Sequence, residues 1–240
     1  MNRHDVRLKS RKMDVATSGS DFCGNNSGQR EADRGFSIIE LLIAMAVGMV
    51  VLGGVYNVFT LLSKQFATQE VVIEMQQNAR MAMDIVTREI RMAGYNPTLT
   101  LTKCSGAMAP ASPSTTCVGI RSASASSISV ASDLDGDGDL TADPTNPNEN
   151  IVYDRYLSSG IYALGRTSNG TKQPVIENLD FLGFSYFDAA DATPTDLANI
   201  RKIRITLRII AAQADPAYPT DGGFRKFTLV SDVTPRNLGL

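Results

Sequence analysis

From Leu41 to Phe59 the chain runs through about 19 residues in which Asn57 is the only strongly polar side chain, close to the roughly 20 apolar residues that carry a helix across a bilayer core. A membrane-spanning helix is therefore the first expectation. The apolar run begins at Phe36, and one carboxylate, Glu40, interrupts it. An ionised carboxylate in such a segment costs on the order of 2.5–3.5 kcal/mol even on lenient insertion scales, so it points to a function and to a cationic partner. The blander alternative is an anchor whose Glu lies near the membrane edge and snorkels to the interface.

The residues ahead of the run are polar and include Arg30 and Arg34, a bias that places this end in the cytoplasm and sends the rest outward. Met1–Gly35 has no apolar core of its own, so it differs from a secretory signal, in which the hydrophobic region precedes the cut. Its composition reads as disordered, and Met13 is an alternative start. The net charge is −2, and the part after Gly35 is mildly acidic. That balance argues against a nucleic-acid surface.

Beyond the span the helical pattern continues. Val72, Met75, Ala79, Ala82, Val86 and Ile90 recur at three- and four-residue steps, the stripe of a helix that packs against something. Arg80, Asp84 and Arg88 follow at i,i+4 on the other side. One helix is predicted from Phe36 to Ala93, roughly 85 Å long at 1.5 Å per residue. Gly94 suits its C-terminus, and Asn96-Pro97 prevents continuation. Gly48, Gly53 and Gly54, inside the apolar part, fit either close helix approach or the ordinary glycine content of membrane helices.

After Gly94 the pattern turns strand-like. Strands are expected at Val118–Arg121, Ser127–Ala131, Ile151–Leu157, Gly160–Gly165, Pro174–Phe187, Ile200–Ile210 and Phe224–Val230. Ile203, Ile205, Leu207 and Ile209 alternate with Arg204, Thr206 and Arg208, as in an antiparallel sheet with one wet face. Asn169-Gly170 signals a tight hairpin, which explains the sequon Asn169-Gly170-Thr171 sufficiently. The fold class is α+β, with a β-rich domain laid against a long helix. Three segments are expected: residues 1–35, 36–94 with its transmembrane half about 36–62, and 95–240.

Arg34-Gly35-Phe36, with Glu40 as the fifth residue from Phe36 and the apolar helix behind it, resembles the class III signal of type IV pilins and type II secretion pseudopilins. The resemblance implies a lollipop of long helix and antiparallel β head. It further implies that a prepilin peptidase cuts after Gly35 and methylates the amine of Phe36, and that Glu40 then pairs with the terminal ammonium of a neighbouring subunit. Ser37 stands where threonine is commoner in that family. Gln76-Gln77-Asn78-Ala79-Arg80, Arg88–Tyr95 and the closing Phe227–Asn237 stretch look like minor pilins of the PilW type, and pseudopilins of the J type share much of the pattern. The implied role is a minor pilin that helps initiate and assemble a pilus. Its implied partners are the peptidase, other minor and major pilins and the inner-membrane assembly machinery, and its implied place is the inner membrane, head in the periplasm, then the cell surface. A secretion pseudopilin or an anchored adhesin is the alternative.

Cys23 falls in the leader, which leaves Cys104 and Cys117 as a pair beyond it. An even count in an oxidising compartment favours a bridge, and a loop of this size gains roughly 3 kcal/mol from closure. Asp133, Asp135, Asp137 and Asp139 alternate with Leu134, Gly136 and Gly138, so carboxylates stand at positions one, three and five of a calcium-loop pattern. The seventh position offers the Asp139 carbonyl. Pro144 replaces the bidentate Glu at position twelve, with Asp143 beside it, so this is no EF-hand. Ca²⁺ and a solvated acidic turn both fit, since close carboxylates repel one another unless a cation relieves them. No other cofactor is required. An enzyme lacks its usual parts: His4 lies in the leader, and there is no Gly-x-Ser-x-Gly elbow, phosphate loop or zinc motif. Asp188 and Asp191 are better read as turn residues than as an acid–base pair.

Overall fold

The computed structural model describes residues 35–108, 116–140, 148–168 and 170–239. The leader ahead of Gly35, residues 109–115 of the cysteine-flanked loop, Asp143, Pro144 and Asn169 lie outside the described residues. Two compact units are present, one reaching to Gly54 and one from Val55 to Leu240. Helix α1, Ile38–Met92, contributes to both; it starts two residues later than the pattern predicted and stops one residue earlier.

In the first unit the helix opens where the Leu41 amide donates to the Ser37 carbonyl at 3.1 Å. Glu40 lies in the first turn, where the helix dipole favours a negative charge. The large apolar side chains here are exposed on every side, Phe36 at 85% and Val50 at 76%. Among the described residues nothing covers any face of this stretch, as expected of a segment whose solvent is lipid or other helices.

In the second unit the helix becomes one-sided. Met75, Ala79, Ala82, Val86 and Ile90 are buried, joined by Met83 and Thr87, while Arg80, Asp84 and Arg88 are exposed. Gly94 ends the helix at φ +82°, and a Cβ there would meet Leu238 at 2.9 Å, so the position excludes larger residues for two reasons.

Nine strands follow among the described residues: β1 (Thr102–Lys103), β2 (Cys117–Ala123), β3 (Ser127–Ala131), β4 (Asn150–Ser158), β5 (Ile161–Ser168), β6 (Thr171–Glu177), β7 (Leu179–Phe187), β8 (Lys202–Ile210) and β9 (Lys226–Val233). They form two sheets, β1-β2-β3-β4-β5-β6 and β7-β8-β9. The antiparallel β region expected from the sequence is present, with two details the sequence did not reveal: the strands divide between two sheets, and β1 pairs parallel to β2. The break falls inside the predicted Pro174–Phe187 strand. Asn178 takes φ +57°, a left-handed conformation Asn tolerates better than most residues, and the chain leaves one sheet there and enters the other. The predicted start of β8 at Ile200 is likewise displaced to Lys202. Residues Leu197–Asn199 form a 3-10 turn, capped by the Asp196 carboxylate, which accepts from the Ala198 amide at 2.7 Å. Ser168 pairs with Thr171, and Gly170 lies at φ +74°, the two-residue hairpin read from Asn169-Gly170.

The helix stripe, Ile120, Ile128, Val130, Ile151, Tyr153 and Leu164 from the first sheet, and Leu182, Phe184, Ile203, Ile205 and Leu207 from the second share one core. Strand alternation accounts for it: Ile151 and Tyr153 point inward, while Asn150, Val152 and Asp154 occupy the other face of β4. The chain is α+β, a long apolar N-terminal helix followed by a mixed, mainly antiparallel β region.

Candidate functional site

The residues singled out at the N-terminal end lie on exposed backbone and on the first helical turn. Gly35 is exposed and has open space where a Cβ would stand, and Phe36 projects freely. Glu40 is exposed and has no hydrogen-bond or ion-pair partner among the described residues. Its neighbours Ile38, Ile39, Leu41, Leu42 and Ile43 are apolar and more than half exposed. A carboxylate ringed by such side chains calls for a cation once water is excluded.

Cys104 and Cys117 are bonded, with Cα atoms 5.0 Å apart. The bridge lies where β1 meets β2, and the Cys104 amide also donates to the Val118 carbonyl at 2.9 Å.

The aspartate loop is folded by its own carboxylates. Asp133 accepts from the Gly136 amide at 2.7 Å, Asp135 from the Asp137 amide at 3.1 Å, and Asp137 from the Asp139 amide at 2.9 Å. Gly136 and Gly138, both at φ +83°, permit the successive reversals. The loop rests against the segment after the helix: the Asp133 amide donates to the Tyr95 carbonyl, and a Cβ on Gly138 would collide with Thr100. Asp133, Asp135 and Asp137 bring carboxylate oxygens within 4.8 Å of one another, Asp133 buried and the other two exposed. The Asp139 carboxylate is not part of that group. These three are the described residues best placed to hold a hard cation.

Three features escaped sequence reasoning. Glu149 is buried beside the aspartate loop, accepts from the Leu134 amide at 2.8 Å, and has its carboxyl pushed above the usual range, first by burial and further by Asp135 and Asp133. Glu89 on α1 accepts from Arg166 at 2.8 Å and from the buried Tyr153 hydroxyl, which joins helix to sheet. Its three-residue step from Val86 placed it beside the apolar stripe, a signal that only the sheet's geometry makes legible. Arg121 is 4% exposed, its guanidinium finds no hydrogen-bond acceptor among the described residues, and burial lowers its pKa. It stands at the irregularity between Ile120 and Ser122 in the β2–β3 pairing, and nothing in the structure explains its lack of a partner.

Comparison with known proteins bears on the same end of the chain. Residues 31–56 match the family described as the prokaryotic N-terminal methylation motif. Over 61 residues the chain is 38% identical to the pilin-like protein PilA3 of Thermus thermophilus, a stretch that covers 25% of this chain and 26% of that protein. The chain thus spans about a quarter of the length of the curated relative it matches. No solved structure matches it. Residues 31–56 carry an N-terminal methylation motif of the type IV pilin-like kind, and the described part of that motif is the exposed segment bearing Gly35, Phe36 and Glu40.

Proposed function

We propose that this chain is a minor pilin of the PilW type, a structural subunit and not an enzyme, that helps initiate and assemble a type IV pilus. One observation carries the reading: the methylation motif coincides with an apolar helix start that, among the described residues, has no covered face and one carboxylate without a partner. In this reading a prepilin peptidase cuts after Gly35, the new amine of Phe36 is methylated, and residues 36–62 hold the subunit in the inner membrane with the β region outward. Glu40 then pairs with the terminal ammonium of a neighbouring pilin in a low-dielectric bundle, where such a pair is stronger than in water. Mass spectrometry of the N-terminal peptide from membrane-extracted protein tests it. An N-methylated Phe36 is expected; an intact leader, or a cut elsewhere, overturns the reading. A secretion pseudopilin would pass this test equally, and deletion separates the two by loss of surface fibres or of exported enzymes.

We propose further that Asp133, Asp135 and Asp137 hold Ca²⁺, with the buried Glu149 carboxylate adding negative potential from beside the loop. Calorimetric titration of the full chain in detergent is expected to release or absorb heat that Asp133→Ala/Asp135→Ala abolishes. Equal silence in both proteins at millimolar Ca²⁺ removes the metal.

A further inference from the structure

The second unit contains an open groove of about 700 Å³ between α1 and the connection from β8 to β9. Its helix wall includes Leu61, Lys64, Ala67 and Val71, and its other wall is built from Ala211 to Ala217 with Arg225. The connection is a tied structure. The Ala211 amide donates to the Arg225 carbonyl and the Asp215 amide to the Gly223 carbonyl, so its two arms run together. Arg225 reaches Asp215 through Nε at 3.1 Å and Nη2 at 2.9 Å and stacks over the Tyr218 ring at 4.9 Å. The wall is thus preformed, apolar on the groove side and stiffened by an arginine and a tyrosine.

Its height along the helix decides what fills it. From Leu41 to Ser63 there is no Asp, Glu, Lys or Arg, and Lys64 is the first charge after Glu40. That stretch is roughly 35 Å of helix, slightly more than the 30 Å of a bilayer's hydrocarbon. Within this unit Val55, Tyr56, Val58, Phe59, Leu61 and Leu62 are all exposed, so the lipid-facing surface continues into the groove's lower edge at Leu61. The headgroup layer adds roughly 5–7 Å beyond the hydrocarbon, about one helical turn, the level of Lys64 and Gln65. Lys64 has no ion-pair partner among the described residues.

We propose that this groove seats on phospholipid: its apolar floor takes the upper acyl and glycerol region, and Lys64 at its rim meets the phosphate. The β8–β9 connection then acts as an interfacial foot that holds the β region against the membrane, as aromatic and basic side chains do at bilayer surfaces. This rests on the reading that the apolar helix spans a membrane.

The chain contains no tryptophan, which makes single-tryptophan reporters clean. Ala217→Trp, Phe59→Trp and Leu157→Trp proteins are reconstituted separately into phosphatidylcholine–phosphatidylglycerol vesicles whose acyl chains are brominated near the glycerol. Quenching of the residue-217 probe at least threefold above that of the residue-157 probe is expected, and Lys64→Glu should at least halve it. A quenched residue-59 probe with an unquenched residue-217 probe overturns the groove and leaves the membrane span intact. A silent residue-59 probe overturns the span itself. Emission from residue 217 that changes with protein-to-lipid ratio but not with bromination assigns the groove to a second copy and likewise overturns the proposal.

Discussion

Replacing Glu89 with alanine should detach the helix from the first sheet more severely than any other single change on the helix surface. The carboxylate accepts from Arg166 through Nε at 3.0 Å and Nη2 at 2.8 Å and also receives the Tyr153 hydroxyl. The Arg166 and Glu89 side chains are only 20% and 22% exposed, and Tyr153 is fully buried. Removal of one member of a buried pair costs about 3–5 kcal/mol. Arg166 keeps Asn148 at 2.7 Å and some contact with water, which relieves part of its loss, but the phenol has no such recourse and adds about 1–3 kcal/mol. Because the two effects share one carboxylate they do not add, and a net loss of about 3 kcal/mol is expected. Urea unfolding of the full chain in detergent measures it, with Asp84→Ala as the comparison: Asp84 pairs with Arg88 at 2.8 Å, but both side chains are two-thirds or more exposed, so its loss should stay below about 1 kcal/mol. Equal, small losses in the two variants would refute the view that partial burial makes the Glu89 pair strong. Tyr153→Phe alone should cost about 1 kcal/mol, and a double-mutant cycle with Glu89→Ala should show positive coupling.

Burial raises the pKa of Tyr153, with Glu89 adding to the shift, and burial likewise raises that of Tyr186. A proton held more tightly in the folded state stabilises fully below the unfolded pKa of about 10 and is lost as pH rises beyond it, so unfolding midpoints should fall above that pH and fall less in Tyr153→Phe. Reduction of Cys104–Cys117, or Cys117→Ser, should remove roughly 3 kcal/mol for the 13-residue separation, read as a lower denaturation midpoint that reductant no longer changes in the variant. Gly94→Ala should destabilise by at least about 1–2 kcal/mol through its left-handed backbone alone, and more through the collision with Leu238; an unchanged midpoint would contradict the strain. Glu40→Ala should leave the subunit in the membrane fraction while surface fibres decline, and normal piliation in that variant would exclude the assembly role.

The helix was legible because its signals are local. Apolar spacing from Val72 to Ile90 and the Gly94-Tyr95-Asn96-Pro97 ending sit within one stretch of chain, and the structure buries that stripe. The alternation of Ile203 to Ile209 likewise reported the buried face of β8. Division into two sheets was not legible, since it depends on one left-handed residue, Asn178, inside a stretch whose many apolar and aromatic side chains read as one strand. β1 escaped as well: two exposed residues, Thr102 and Lys103, carry no periodicity, and only their pairing with Cys117 and Val118 makes them a strand. At the candidate site, Glu40 declared itself by the cost of its surroundings. Glu149 could not, because its burial is decided by loops that return to it from elsewhere.

The last residues described here close the structure where the helix ends. The Arg236 amide donates to the Arg91 carbonyl, the Asn237 side-chain amide to that of Met92, and Leu238 covers both Gly94 and Gly119. The Ser132 hydroxyl and the Ala131 carbonyl hold the same helix end from β3, at Met92 and Gly94, so the C-terminal residues complete a clasp that β3 begins. A chain made from its N-terminus delivers its helix end long before these last residues, and their contacts close a loop of nearly 150 residues. The second half of the clasp therefore waits on the arrival of three residues.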